Sequence, residues 1–120
     1  MNKKTLVIGA SENPSRYSNI AIKRLKNHGI EVKAIGRRKG NVEGVAIETE
    51  KVNFENIHTV TMYIGAKHQP EYYNYIISLN PVRVIFNPGT VNPEFEKLLK
   101  QNNIAFEQAC TLVLLSIGSY

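Results

Sequence analysis

The sequence predicts a three-layer, doubly wound α/β fold built on a parallel sheet of five strands in the order 3-2-1-4-5. Short runs rich in β-branched residues alternate with segments of helical periodicity, and this alternation favours right-handed crossovers between parallel strands. The first such run, Leu6-Val7-Ile8, ends in a glycine turn before a helical pattern begins. We expect all 120 residues, 1–120, to form one domain around a single hydrophobic core.

The strands are predicted from β-branched and aromatic runs bounded by turn residues. They cover residues 6–8, 30–35, 58–64, 82–86 and 104–106. The first is continuously apolar, which is typical of a strand buried on both faces, whereas the second alternates. Residues 41–56 are polar and are interpreted as an irregular crossover, with a short extended piece at 45–47.

The helices are predicted over residues 19–28, 69–79, 93–101 and 110–117. Ser18 is a suitable N-cap for the first and Gly29 a suitable stop. Asn92-Pro93-Glu94 is a helix start with a cap, a proline at the first position and an acid in the first turn. We interpret Tyr72 and Tyr73 as packing residues on a helix face, with a stacking platform as the alternative.

Composition excludes several classes of protein. Hydrophobic residues make up 42% and charged residues 21%, as in ordinary globular proteins. The net charge of +5 suits an anionic ligand, but no basic cluster exceeds Arg37-Arg38-Lys39, so nucleic acid is not an expected partner. The single cysteine, Cys110, excludes an internal disulfide, and with three scattered histidines it predicts no metal site. With no signal peptide or membrane-length apolar run, the expected location is cytoplasmic.

The turn after the first strand has part of a phosphate-binding pattern. A strand, a glycine turn and a helix start can bind an anion, because the first N–H groups of the helix are unpaired and carry the positive end of its dipole. Only Gly9 matches the three-glycine dinucleotide motif, since Ser11 and Pro14 stand at the other two positions. Polar side chains nearby could bind phosphate oxygens instead, but an ordinary solvated loop explains the same residues.

A basic turn, Arg37-Arg38-Lys39, follows the second strand. An acidic residue at this place would indicate NAD, because it would bind the ribose hydroxyls. Three cations instead indicate a phosphorylated ribose, as in NADP or coenzyme A, since arginine matches phosphate with two hydrogen bonds. A solvated basic turn is the alternative. In the predicted order, the loops 9–18, 65–68 and 87–90 converge at or beside the switch point between the first and fourth strands.

Taken together, these segments resemble the small CoA-binding domain proteins, whose Rossmann-like fold is also that of the CoA-binding domain of the succinyl-CoA synthetase alpha subunit. The resemblance covers almost the whole chain. It is carried by Val7-Ile8-Gly9-Ala10-Ser11, Asn13-Pro14-Ser15-Arg16-Tyr17-Ser18, the spacing to Gly29, Asn87-Pro88-Gly89 and the late Cys110.

This resemblance implies a set of cofactor-binding residues. Those expected to hold the CoA diphosphate are Gly9, Ala10, Ser11, Arg16, Tyr17 and Ser18. Those near the phosphorylated ribose and adenine are Arg37, Arg38 and Lys39, and those flanking the adenosine or pantetheine portion are Ile64, Gly65 and Lys67. Asn13, Asn87, Pro88 and Gly89 complete the candidate set.

The leading hypothesis is a CoA or acyl-CoA binding protein without catalytic residues of its own. No nucleophile and base stand at a catalytic spacing, so any chemistry would come from a partner enzyme subunit. The alternatives are an NADP-binding oxidoreductase subunit and a nucleotide or redox sensor that uses Cys110. We interpret Cys110 as a buried apolar residue, with a reactive thiol as the alternative. An exposed apolar last helix would favour a homodimer.

Overall fold

The computed structural model describes residues 2–120. Within them, the seven strands are β1 (Thr5–Ile8), β2 (Val32–Ile35), β3 (Gly40–Val42), β4 (Val45–Glu48), β5 (Thr59–Met62), β6 (Arg83–Phe86) and β7 (Ala105–Gln108). The α-helices are α1 (Tyr17–Asn27), α2 (Tyr73–Leu79), α3 (Pro93–Gln101) and α4 (Thr111–Ser116). Two 3-10 turns, Ala66–His68 and Pro70–Tyr72, precede α2.

The strands form one sheet in the order β3-β4-β2-β1-β5-β6-β7. Neighbouring strands from β4 to β7 are parallel, while β3 runs antiparallel to β4. β1 lies near the middle, where Thr5 is in register with Val32 of β2 on one side and with Thr59 of β5 on the other. All four residues of β1 are buried, as expected for a strand covered by helices on both faces.

The predicted parallel α/β architecture is confirmed, but the order 3-2-1-4-5 is wrong. The strand at 59–62 was expected beyond β2 and instead pairs directly with β1, in the place expected for the strand at 83–86. The place beyond β2 belongs to β4, which lies in the segment interpreted as an irregular crossover. The topological switch point therefore lies between β1 and β5.

The extended piece expected at 45–47 is found as β4, but an unusual turn explains why the sequence does not indicate that it forms a hairpin with β3. The two turn residues, Glu43 and Gly44, have φ angles of 49° and 88°. Two successive positive φ angles are typical of the type I′ turn, which matches the twist of the strands, but asparagine or aspartate usually stands first. The hairpin adds the buried side chains of Val42, Val45 and Ile47 to the core.

Helices cover both faces of the sheet. Leu6 and Ile8 of β1 point to one face, where they belong to the same apolar cluster as Phe95 of α3 and Ile76 of α2. Val7 points to the other face, which it shares with residues of α1 and α4, among them Ile22, Leu25 and Leu115. The alternation of side chains along β1 thus builds two cores, and α1 and α4 pack together on one face of the sheet.

The helix ends follow the predicted signals in part. Asn92 caps α3, since its Oδ1 accepts a hydrogen bond from the backbone N–H of Phe95 at 3.2 Å. α2 begins four residues later than predicted because the chain forms 3-10 turns first. Val113 of α4 and Ile117, the C-cap of that helix, are 52% and 65% exposed. Within residues 2–120, no helix has the length and apolar character needed to cross a bilayer.

Candidate functional site

The carboxyl ends of the parallel strands bring the predicted loops to one edge of the sheet. We call residues 9–16, after β1, the first loop, and residues 37–39, after β2, the basic turn. The first loop and the loop after β5 (63–69) face each other across the switch point, where ligands bind in open α/β sheets. The loop after β6 (87–92) lies one strand further along, and the basic turn lies one strand away on the other side.

Gly9 allows the first loop to pack directly on the loop after β5. Its φ angle is +96°, and a Cβ atom there would lie 2.8 Å from Ile64 Cγ2 and 2.9 Å from the Tyr63 carbonyl oxygen. The backbone N–H groups of Gly9 and Ala10 both donate to the Ile35 carbonyl at 2.9 Å, which turns the chain away from the sheet. A side chain at this position would therefore push the two loops apart.

The polar side chains of the first loop are hydrogen-bonded to the loop itself. Ser11 Oγ accepts from the backbone N–H of Asn13 at 3.0 Å, and Asn13 Oδ1 accepts from the backbone N–H and the hydroxyl of Ser15 at 3.0 and 2.7 Å. Asn19 Nδ2, from the first turn of α1, donates to the Ser11 carbonyl at 3.0 Å. These bonds fix the path of the loop into the helix.

The first turn of α1 leaves backbone donors unpaired. The backbone N–H groups of Tyr17 and Ser18 find no acceptor within residues 2–120, and the N-cap residue Arg16 makes no side-chain cap. No acidic residue stands in this turn. Ser18 is 4% exposed, whereas Arg16 and Tyr17 are exposed, so cationic and aromatic side chains surround the free N–H groups. Such a helix start attracts an anion.

Glu12 holds the first loop against the β3–β4 hairpin. Its Oε2 accepts a hydrogen bond from the backbone N–H of Asn41 at 2.8 Å. Gly40 makes room for this contact, because a Cβ atom there would lie 2.5 Å from Glu12 Cδ. Glu12 thus links the first loop to the strand that follows the basic turn.

The basic turn is exposed beside the first loop. Gly36 precedes it and lies so close to the first loop that a Cβ atom would collide with the Ala10 carbonyl oxygen. The side chains of Arg37, Arg38 and Lys39 are exposed, and the ion pairs found within residues 2–120 join other residues. These three cations are therefore available to an anionic ligand.

A groove of about 430 Å³ lies beside the basic turn, over the carboxyl ends of β2 and β4. Lys51 Nζ lies 5.3 Å from the centroid of the Tyr72 ring. Burial and the charge of Glu71 raise the pKa of Tyr72, while the nearby charge of Arg37 acts in the opposite direction. The groove therefore combines an aromatic ring with two cations and two carboxylates. It is lined by Gly36, Arg37, Thr49, Glu50, Lys51, Glu71 and Tyr72.

The candidate residues after β5 and β6 differ in exposure. Ile64 and Gly65 are partly buried and Lys67 is exposed. Pro88 and Gly89 are exposed, and Gly89 has a φ angle of +87° with no atom near the position of a Cβ. These residues lie along the edge of the crevice.

Asn87 differs from the other candidates because its side chain points into the protein. It is 2% exposed. Its Nδ2 donates to Thr61 Oγ1 at 2.6 Å and to the Met62 carbonyl at 2.8 Å, and its Oδ1 accepts from the backbone N–H of Thr111 at 2.9 Å. These bonds join the ends of β5 and β6 to the start of α4, so the amide of Asn87 is already in use.

Gln69 and Asn92 are two further carboxamides whose side chains are hydrogen-bonded inside the protein. Gln69 is fully buried, and its Nε2 donates to the carbonyls of Ile64 at 2.9 Å and Thr90 at 2.7 Å. Asn92 Nδ2 donates to Gln69 Oε1 at 3.0 Å and to the Tyr73 hydroxyl at 2.8 Å. We call Gln69, Asn87 and Asn92 the carboxamide cluster. It connects the two loops that follow β5 and β6.

Cys110 and Tyr63 lie near this cluster. Cys110 is partly buried at the N-cap of α4, next to Thr111, whose hydroxyl pairs with that of Thr61 at 2.9 Å. Burial raises the pKa of Tyr63 to about 12, in spite of the neighbouring Thr61 and Thr111 hydroxyls. Tyr63 is therefore neutral at ordinary pH.

Several residues of the site are not indicated by the sequence. Gln69 follows the 3-10 turn at 66–68, and its burial depends on contacts with a loop more than twenty positions away. Lys51 and Tyr72 meet only because the 3-10 turn at 70–72 approaches the end of β4. A carboxamide precedes proline at Gln69-Pro70, Asn87-Pro88 and Asn92-Pro93, but the same pairing occurs at the exposed Asn13-Pro14 and Asn80-Pro81, so it does not single out the buried residues.

Solved structures of other proteins share this fold. A solved structure described as an uncharacterized protein is 48% identical, with a TM-score of 0.97, and the match covers 100% of this chain and 99% of that one. A hypothetical protein from Pyrococcus horikoshii is 25% identical, with a TM-score of 0.85, over 93% of this chain and 80% of that one. A Thermus thermophilus protein, 20% identical over 98% and 91% of the two chains, shares the fold with a TM-score of 0.84. Among proteins with curated descriptions, none matches.

The family model described as a CoA binding domain matches residues 3–116. That range contains the first loop, the basic turn, the crevice and the carboxamide cluster. The match supports a role in CoA binding. The chain therefore belongs to the CoA-binding domain family.

Proposed function

We propose that residues 1–120 form one domain that binds CoA or an acyl-CoA, with the diphosphate at the start of α1. The observation that carries this proposal is the pair of unpaired N–H groups at Tyr17 and Ser18, beside the switch point of a CoA-binding domain. Arg16 supplies a cation next to them, and Ala10 and Ser11 bring the backbone of the first loop close. The diphosphate would complete the hydrogen bonding of the helix start.

The basic turn supplies the second contact. CoA carries a phosphate on its ribose, and Arg37, Arg38 and Lys39 are exposed cations one strand away from the first loop. Arginine binds phosphate with two parallel hydrogen bonds. The adjacent groove offers the Tyr72 ring, on which an adenine could stack. These features support a ligand that combines a diphosphate with a phosphorylated adenosine.

The remaining part of the ligand would extend toward β5 and β6. If the adenosine lies over β2 and the diphosphate over β1, the pantetheine arm meets Ile64, Gly65 and Lys67 first. Pro88 and Gly89 lie one strand further. The amide of Asn87 is bonded inside the protein and would not contact the ligand. Asn87 would instead contribute by holding the following residues of its loop in place.

NADP is the second candidate, because it also has a diphosphate and a phosphorylated ribose. The basic turn favours it over NAD, which has no such phosphate. The first loop favours CoA, since it keeps only the first glycine of the dinucleotide motif. We propose that the domain has no catalytic residues of its own and that any reaction of a bound thioester takes place on a partner protein.

Thermal unfolding with CoA, acetyl-CoA, NADP and NAD tests the proposal. A ligand that binds only the native state stabilises it, so at a hundred times its dissociation constant it adds about 2.7 kcal/mol. We expect CoA and acetyl-CoA to raise the melting temperature most, NADP less and NAD least. A clear shift with NADP and none with millimolar CoA would overturn the proposal.

A further inference from the structure

The carboxamide of Gln69 lies between the two loops that flank the crevice. The side chain is fully buried, and all its hydrogen-bonding groups have partners on different parts of the chain. One N–H donates to the carbonyl of Ile64, two residues after β5, and the other to the carbonyl of Thr90, four residues after β6. The oxygen accepts from Asn92, so all three contacts involve the crevice loops.

These contacts set where the loops lie relative to each other. Thr90 is itself held to Asn87, since its backbone N–H and hydroxyl donate to the Asn87 carbonyl at 3.0 and 2.8 Å. Gln69 links this short turn to Ile64, which also contacts the first loop at Gly9. A displacement of Gln69 would therefore change the width of the crevice while the strands below it stay paired.

We infer that Gln69 is a positioning residue that holds the loops after β5 and β6 at the separation needed for the pantetheine arm of CoA. This inference rests on the proposed CoA binding. Gln69 is too buried to touch the ligand and acts through the backbone at Ile64 and Thr90. None of the hydrogen-bond partners of Gln69 lies in the basic turn or at the start of α1. Contacts to the phosphorylated adenosine should therefore depend on Gln69 less than contacts to the pantetheine arm do.

The test compares two ligands on the Gln69→Met variant. Methionine has a similar size and packs in a core, but it cannot donate to either carbonyl. Titration calorimetry measures binding of CoA and of adenosine 3′,5′-bisphosphate, which lacks the pantetheine arm. We expect the variant to lose about tenfold in affinity for CoA, because the three hydrogen bonds of the carboxamide are lost, and to bind the bisphosphate within about twofold of the wild type. Equal losses for both ligands, or no loss for either, would overturn the inference.

The matched control is Gln101→Met, the same replacement at an exposed position of α3. It should bind both ligands as the wild type does. If Gln69→Met does not fold, Tyr73→Phe provides the second variant, because it removes only the hydroxyl that accepts from Asn92. It should lose about two- to threefold in CoA affinity and none for the bisphosphate. Unchanged CoA binding in Tyr73→Phe would then count against the inference. A wild-type protein that binds no CoA would instead refute the proposed function itself.

Discussion

The loops that follow β1 and β6 are both short, polar and interrupted by glycine, but they use their polar groups in opposite ways. In the first loop, Ser11 and Asn13 bond only to near neighbours, and the N–H groups at Tyr17 and Ser18 remain free. In the loop after β6, Asn87 is buried and its amide bonds to residues of β5 and α4.

This difference shows which kind of polar loop can bind a ligand. A buried carboxamide with all its partners in the protein stabilises the fold, and using it for a ligand would leave other buried groups unpaired. An exposed loop with free backbone N–H groups gives up only hydrogen bonds to water when an anion binds. We therefore expect changes to the buried Asn87 to affect mainly stability, whereas binding of the ligand's phosphates should depend on the first loop and the basic turn.

The two glycines of these loops should show the largest contrast. Gly9→Ala combines a strained φ angle of +96° with a contact of 2.9 Å to the Tyr63 carbonyl, so we expect a loss of about 3–4 kcal/mol in the free energy of unfolding. Gly89→Ala has a φ angle of +87° but open space, and should lose about 1–2 kcal/mol. Urea unfolding measures both. Equal losses would mean that the close contact at Gly9 has no energetic weight.

The two asparagines should differ next. Asn87→Ala leaves the Met62 carbonyl and the Thr111 N–H unpaired in the interior, and we expect a loss of about 2–4 kcal/mol in the free energy of unfolding. Asn13→Ala removes bonds in an exposed loop and should cost less than about 1 kcal/mol. Chemical denaturation of both variants checks this. A large loss at Asn13 would erase the distinction between the loops.

The basic turn should affect binding and leave stability unchanged. We expect Arg37→Gln with Arg38→Gln to weaken CoA binding about tenfold, because charge-assisted bonds to phosphate are lost, while the free energy of unfolding changes by less than about 0.5 kcal/mol. The loss in CoA affinity should become smaller as salt is added, because salt screens the attraction between the arginines and the phosphate. Calorimetry at two salt concentrations measures it.

The control for this pair removes two exposed cations elsewhere, in Arg24→Gln with Lys97→Gln. It lowers the net charge equally. If it weakens CoA binding as much as the first pair, the attraction depends on overall charge, and the basic turn has no special role.

The smallest predicted effect concerns Tyr63, whose raised pKa reports that the region near Asn87 is buried. Its pKa is raised from 10 to about 12, so its contribution to stability is complete below pH 10 and is lost as the pH rises toward 12, because the unfolded chain ionises first. Tyr63→Phe should therefore reduce the fall in unfolding free energy above pH 10, whereas Tyr17→Phe, at a residue 71% exposed, should not. Urea unfolding between pH 8 and 11.5 is the measurement, and identical alkaline slopes for both variants would contradict it.

Much of the fold follows from the sequence because its signals are local. The apolar run at β1, the glycine turn after it and the Asn92-Pro93 helix start are all found where expected. The strand order is not local. It depends on the hairpin at Glu43-Gly44, whose turn lacks the usual residues, and on whether the strand at 59–62 pairs with β1 or beyond β2. Periodicity cannot distinguish these pairings, since both leave the strand buried.

The candidate site shows the same division. The first loop and the basic turn are indicated by residue type and position, and the structure places them side by side at one edge of the sheet. Asn87 also has the residue type of a ligand contact, but its neighbours in space make it part of the interior. Gln69 has no sequence signal of its own, because its partners come from distant turns.

The carboxamide cluster has a chemical consequence for the lifetime of the protein. Asparagine and glutamine slowly become acids when the next backbone nitrogen attacks the side-chain carbonyl, and that attack requires an N–H. Gln69, Asn87 and Asn92 are each followed by proline, whose nitrogen has no hydrogen. In these three buried residues, whose deamidation would place a negative charge in the interior, this route is thus blocked, so ageing should begin at exposed amides that no proline follows, such as Asn27 or Asn103.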